Sequence, residues 1–357
     1  MTQLTLTGIA TNQNRGGYYK YIDKMLYSEG KPSSVLSWAT FKGNIGIVEL
    51  LIAKGANLNV CDDRGYTPLH IASKEGYMDI VKLLINNGAD INVQTTDGCR
   101  PLYMAALGHN KDIAQTLLDY EAFMEEDIAI LLGDLQLVKH YLDLGTDPNS
   151  KIEKGLAKGE PWLIAAIGSR NKKVVELLLN YGANIYQKIE SKNILPIHRA
   201  SALGCLEICQ LLIAHGTNVD IKGEYKRTSL HCATQSRHQA IVELLLDYNA
   251  DINALDIEGK SALSIASGHH DLQIVEILLS RGARIYPIND QACNPLICAC
   301  SSPGGDETIK SLVVHGADTN VRDLRGFSPL HLAVVQNNKG LVEFLLSNGA
   351  REGLELT

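Results

Sequence analysis

A leucine-rich run closed by Gly-Ala, or a near variant, recurs through this chain and leaves few folds open to it. The pair stands at Gly55-Ala56, Gly88-Ala89, Glu121-Ala122, Gly145-Thr146, Gly182-Ala183, Gly216-Thr217, Asn249-Ala250, Gly282-Ala283, Gly316-Ala317 and Gly349-Ala350. Successive intervals are 33, 33, 24, 37, 34, 33, 33, 34 and 33 residues. A period of this size marks an architecture in which one supersecondary unit stacks on the next and the core grows along the chain.

The unit "DDRGYTPLHIASKEGYMDIVKLLINNGADINV", residues 62 to 93, can be read physically. Thr67 suits a helix cap, and Pro68 suits the first helical position, where a missing N–H costs nothing. A short helix then turns Leu69 and Ala72 inward. Gly76 breaks it in the left-handed region, and the equivalent positions Gly43, His109, Gly133, Gly204, His270 and Asn337 are all types that tolerate positive φ. The second helix carries Ile80, Val81, Leu83, Leu84 and Ile85, too wide an apolar stripe for a lone surface helix, so neighbours must cover both sides. Gly88 ends it as a left-handed cap.

A second marker precedes each run: "GYTPLHIA" at 65 to 72, "LPIHRA" at 195 to 200, "TSLHCA" at 228 to 233 and "FSPLHLA" at 327 to 333. The T-P-L-H-x-A signature, the 33-residue period and the closing Gly-Ala-Asp-x-Asn together resemble the ankyrin repeat. The resemblance implies an all-α solenoid of helix-turn-helix units with β-hairpin fingers, its fingers and first helices forming a concave face. Counted from Ala39, Ala72, Ala105, Ala129, Ala165, Ala200, Ala233, Ala266, Ala299 and Ala333, about ten units are expected. Residues 18 to 31, "YYKYIDKMLYSEGK", resemble the second helix of a degenerate eleventh that caps the N-terminal end. At the other end Val342, Phe344, Leu345 and Leu346 have no following repeat to hide them, so the last helices pack tightly or another molecule covers them.

The stretch "FMEEDIAILLGDLQLVKHYLDLGTDPN", 123 to 149, keeps both helices and lacks a finger, with about nine residues absent before Met124. The next finger is about four residues longer and carries Lys151, Lys154 and Lys158. A fingerless unit resembles the one with which many ankyrin arrays begin. Two blocks are therefore expected, 1–122 with a cap and three repeats and 123–357 with seven, stacked as one solenoid. The gap is either a shaped binding notch or a tolerated loss of surface hairpin.

Composition excludes several function classes. With 33 Lys and Arg against 40 Asp and Glu, the net charge of -7 and pI near 5.9 disfavour sequence-independent nucleic-acid binding. No apolar run reaches the roughly 18 residues that a membrane helix needs, and no leader is recognisable, so a cytosolic location is expected, which includes a host cytosol. Eight of the eleven histidines have repeat roles. His70, His198, His231 and His331 fill the signature position, which in the family braces the finger. His215 and His315 lie in last helical turns, where a cation suits the dipole, and His109 and His270 sit at helix breaks. The eight cysteines suggest reduced thiols, and neither Cys205/Cys209 nor Cys298/Cys300 has zinc-knuckle spacing. "SSPGGDET", 301 to 308, lacks the Lys-Ser/Thr ending of a phosphate loop and reads as a lengthened turn. No catalytic residue, metal site or cofactor is expected.

Function should then lie where the repeat varies, at finger tips and first-helix ends. One unit offers Arg64, Tyr66, Lys74 and Glu75, beside Asp63. Others offer Tyr225, Arg227 and Gln235, beside Glu224, then Ile257, with Glu258 and Lys260, and finally Leu324, Arg325 and Phe327. Tyr and Arg commonly anchor interfaces, and exposed Ile257, Leu324 and Phe327 need a purpose. Trp38 and Trp162 stand near the signature leucine and are expected in the core. The leading expectation is a monomeric, non-catalytic scaffold that binds a protein or peptide through its concave face. The alternative is an adaptor or inhibitor of a separate enzyme, such as a bacterial or viral effector.

Overall fold

The computed structural model describes residues 34–154, 157–286 and 293–351. The cap expected at 18 to 31 lies outside the described residues. Regular structure is helical: α1 Val35–Phe41 and α2 Ile45–Ala53, α3 Pro68–Glu75 and α4 Met78–Asn86, α5 Pro101–Leu107 and α6 Lys111–Asp119, α7 Glu126–Leu132 and α8 Leu135–Asp143, α9 Trp162–Gly168 and α10 Lys172–Asn180. Then come α11 Pro196–Leu203 and α12 Leu206–Ala214, α13 Ser229–Gln235 and α14 Gln239–Asp247, α15 Ala262–Gly268 and α16 Leu272–Ser280, α17 Pro295–Cys300 and α18 Asp306–Val314, α19 Pro329–Val335 and α20 Lys339–Ser347. The chain divides into two compact units at Ile128 and Ala129, inside α7.

Within the first unit α1, α3 and α5 pack in succession, and α2, α4 and α6 do the same. The second unit repeats the scheme, with α9, α11, α13, α15, α17 and α19 forming the inner row and α8, α10, α12, α14, α16 and α18 the outer. The inward residues form a continuous buried seam in each unit: Leu69, Leu84, Leu102 and Leu117 in the first, Trp162, Leu178, Leu230 and Leu263 in the second. Each contributes about 1.5 to 3 kcal/mol from burial.

Local chemistry explains the helix boundaries. Thr67, Thr228 and Ser328 cap α3, α13 and α19, each with the signature histidine at the third helical position completing a capping box. Asn44, Asp134, Asn171, Asp271 and Asn338 cap second helices through side-chain oxygens. The anticipated breaks all have positive φ, including the non-glycines His109 (59°), His270 (56°) and Asn337 (53°). Arg170 and Arg237 take the same conformation unannounced by their residue type.

The recurring Asn or Asp after each Gly-Ala joins successive units. Its side chain accepts the backbone N–H one unit on: Asn59 from Asp90 at 2.9 Å and Asn92 from Phe123 at 2.9 Å in the first unit, Asp220 from Asp251 at 2.8 Å and Asn253 from Arg284 at 2.8 Å in the second. Where Tyr186 replaces this residue, its hydroxyl accepts from Asn218 N–H at 3.4 Å and donates to the Gly216 carbonyl at 3.0 Å.

Fourteen residues join α4 to α5, six join α6 to α7, and eighteen join α8 to α9. The pair at 123–149 is thus a complete helix pair entered without a finger, and the finger after it is the long one. "SSPGGDET" is a turn leading into α18, as expected. Two features depart from expectation. Among the described residues the fingers form no β-strand; only isolated bridges occur, at Lys151–Pro161 and Ile189–Ile194. Their arms are too short for a ladder. Trp162 is buried, but Trp38 is 37% exposed, because on a helix rotating about 100° per residue it falls outside the stripe that buries Leu36 and Ala39. In α20, Leu345 is buried, Val342 and Phe344 are half-buried and Leu346 is exposed.

Candidate partner-binding groove

Three fingers share one turn. In each, the first Asp accepts backbone N–H groups two and four residues on: Asp62 from Arg64 (3.0 Å) and Tyr66 (2.9 Å), Asp256 from Glu258 (2.9 Å) and Lys260 (3.0 Å), Asp323 from Arg325 (2.9 Å) and Phe327 (2.8 Å). This is turn chemistry that an Asp can dictate alone. Neighbouring fingers are tied by one backbone bond each: Thr96 N–H to the Arg64 carbonyl, Ile257 N–H to the Tyr225 carbonyl, and Cys293 N–H to the Gly259 carbonyl, all 2.8 Å.

The signature histidines lock this framework. His70 Nδ1 accepts from Thr67 N–H at 3.1 Å, which leaves Nε2 to donate to the Cys99 carbonyl at 3.1 Å, in the next finger. His231 repeats the pattern with Thr228 and the Lys260 carbonyl, and His198 reaches the Ile221 carbonyl at 3.0 Å. Burial pushes His70 down to about 4 and lowers His198 and His231 in the same direction, so the bridging form is neutral. These are bracing groups, with no proton to exchange near pH 7.

In the first unit the expected contact residues fare unevenly. Arg64 is half-buried, and Lys74 and Glu75 are half-buried at the end of α3, where burial lowers the Lys74 pKa. Tyr66 does not stand out for a partner. Its ring is 3% exposed and meets His70 edge to face, with centroids 5.8 Å apart, because the following finger covers it.

In the second unit the fingers and first helices enclose a groove of about 1840 Å³. Gln235, Ile257, Leu324 and Arg325 line it; Tyr225, Arg227 and Phe327 stand beside the lining. Ile257 is 59% and Leu324 100% exposed. Arg227 is committed to Asp256, whose side chain is fully buried, at 3.3 Å, and stacks over the Tyr225 ring at 5.6 Å. Arg325 pairs with Asp323 at 3.1 Å and covers Phe327 at 5.3 Å, while Gln235 contacts His269 Nε2 at 2.6 Å. The basic lining residues are Lys222, Lys226, Lys260, Arg322 and Arg325, against the acids Asp256, Glu258 and Asp323. The groove is therefore net basic in a chain of net charge -7.

No group of three or more His, Cys, Asp or Glu side chains able to hold a metal occurs among the described residues. None of the described helices is long and apolar enough to cross a membrane. The family described as ankyrin repeats (three copies) matches residues 36–127, 126–223, 197–289 and 263–354, nearly the whole chain. The chain is an ankyrin repeat protein. Ankyrin repeats generally mediate protein–protein interaction, and the family is generally non-catalytic.

This ankyrin repeat protein is similar to an L-asparaginase of Dirofilaria immitis, 29% identical over 57% of the present chain and 34% of that protein. It is also similar to the transient receptor potential cation channel subfamily A member 1 of Drosophila melanogaster, 30% identical over 54% and 17% of the two chains. A third relative is the ankyrin repeat protein FPV014 of fowlpox virus, 34% identical over 39% and 31%. The match spans about a third or less of each relative, so these likenesses concern the repeats.

Lys222, Lys226 and Arg322 were not anticipated as groove residues. The available signal was local charge: "KGEYKR", 222 to 227, has three cations in six residues. Tyr225 and Lys226 both have positive φ, 55° and 57°, where the other fingers use Gly65, Gly259 and Gly326. Such non-glycine strain, of order 1 to 3 kcal/mol per residue, commonly marks functional loops.

Proposed function

We propose that this protein binds a segment of a protein partner in the second-unit groove, and that the segment combines apolar side chains with acidic ones. The supporting observation is the lining itself: Ile257 and Leu324 offer exposed apolar surface between Lys222, Lys226 and Arg322, in a protein that is acidic elsewhere. Apolar anchors inside a charged rim give affinity and orientation together. The tied fingers are preformed, so little entropy is lost on binding. On this reading the 123–357 block carries the binding function.

Peptide display on the intact chain tests the proposal. Selected peptides should be apolar and acidic, and Leu324→Asp and Lys226→Glu should each weaken them at least about tenfold. Peptides that bind these variants as tightly as the parent would overturn the groove assignment. Tight, salt-sensitive binding of DNA or RNA oligonucleotides in the same groove would overturn the partner class.

A further inference from the structure

Two groove sulfurs are explained neither by the repeat nor by partner docking. Cys293 and Cys298 both line the groove, and their thiols act on one another. The geometry follows from the helix start. Asn294 caps α17, Pro295 is its first residue, and so Cys293 and Cys298 occupy the flanking and fourth positions, whose side chains pack together when a helix is stapled. Cys293 is anchored by its N–H bond to the Gly259 carbonyl at 2.8 Å, with Sγ 3.8 Å from the Glu258 carbonyl. Lys260, itself paired with Glu258 at 2.6 Å, acts on both sulfurs electrostatically.

We propose that Cys293 and Cys298 form a thiol–disulfide exchange site in the groove, with Cys293 as attacking thiolate and Cys298 as resolving thiol, reacting with small disulfides of the oxidised-glutathione class. The Cys293 thiolate attacks one sulfur of the small disulfide, making a mixed disulfide and releasing one thiolate. Cys298 then loses its proton to solvent and attacks Cys293 Sγ, forming the internal disulfide and releasing the second thiolate. Two protein thiols are oxidised by two electrons, and one small disulfide is reduced to two thiols.

The charges around the pair fit these roles. The Cys298 S–H and the Lys260 ammonium hold the Cys293 thiol down at about 6, against burial and against Asp256 and Glu258. Donation of the Cys298 S–H toward Cys293, then burial and the Cys293 charge, push Cys298 up against Lys260, with Cys300 adding in the same direction. Burial drives Cys209 and Cys300 up to about 12 and Cys232 to about 11, leaving them protonated. Thiolate character and access therefore coincide at Cys293, which is half-exposed.

The test uses the intact reduced protein and needs no partner. In a glutathione redox buffer, fragment mapping should find a Cys293–Cys298 bond, Cys298→Ser should halt with one glutathione on Cys293, and Cys293→Ser should leave Cys298 reduced. Iodoacetamide labelling of Cys293 should show a midpoint near pH 6. At pH 5.5 it should be roughly tenfold faster than labelling of an unstructured cysteine peptide. Cys298→Ser should raise that midpoint. A labelling midpoint above pH 8, a Cys298–Cys300 bond, or no adduct on Cys298→Ser would each overturn the assignment. If a variant fails to fold, the parent's labelling profile and bond map still decide.

Discussion

The fingers at 62–66 and 323–327 have the same turn and opposite surroundings. Asp62 and Asp323 make equivalent bonds, Gly65 and Gly326 have φ of 82° and 84°, and Tyr66 and Phe327 each meet the signature histidine edge to face. Yet Tyr66 is 3% exposed and Phe327 38%. The finger at 95–99 lies against the first tip; no described finger follows the second. Turn shape is thus set by residues within the turn, and availability to a partner by the neighbour.

The glycines offer the sharpest break of this comparison. A Cβ on Gly65 would stand 2.8 Å from Thr95 Cα, whereas one on Gly326 meets nothing within 4 Å. Gly326→Ala should cost only left-handed strain, about 1 to 2 kcal/mol, and Gly65→Ala about 1 to 3 kcal/mol more from the collision with backbone, measured by denaturant unfolding. Equal costs would show that the neighbouring finger does not press on the turn.

Acid should expose the cost of burying the histidine at the covered tip. Burial depresses His70 to about 4 in the folded chain from 6.5, so the unfolded chain takes up the proton first as pH falls. The stability His70 lends is complete above pH 6.5 and is lost between 6.5 and 4, about 2 to 3 kcal/mol between pH 7.5 and 4.5. His70→Ala should remove that part of the pH dependence, read by denaturant unfolding at pH 7.5 and 4.5.

Smaller effects are expected at exposed tips. Tyr225→Gly should relieve backbone strain and stabilise by up to about 1 kcal/mol while weakening partner binding. Leu324→Asp should change stability by less than about 0.5 kcal/mol, because the side chain is wholly exposed. A large loss there would make Leu324 a packing residue and remove it from the groove argument.

Much of the fold was legible because its determinants are local. Thr67 and His70 specify a capping box, and His109, His270 and Asn337 were recognisable as left-handed breaks from residue type alone. Arg170 and Arg237 were not, since their conformation is imposed by the helices they join. The groove was half legible. Ile257, Leu324 and Arg325 were found by asking which variable positions structure does not need. The burial of Tyr66 depends on a finger 29 residues further on, and the Cys293–Cys298 contact on where α17 begins, neither of which periodicity reveals.

A hydrogen-exchange footprint of a display-selected peptide on the intact protein tests the account most directly. The account predicts slowed exchange at 222–227, 255–260 and 321–327, with residues 62–66 unchanged. Protection centred on 62–66 and 95–99, with the second-unit fingers unaffected, would contradict it.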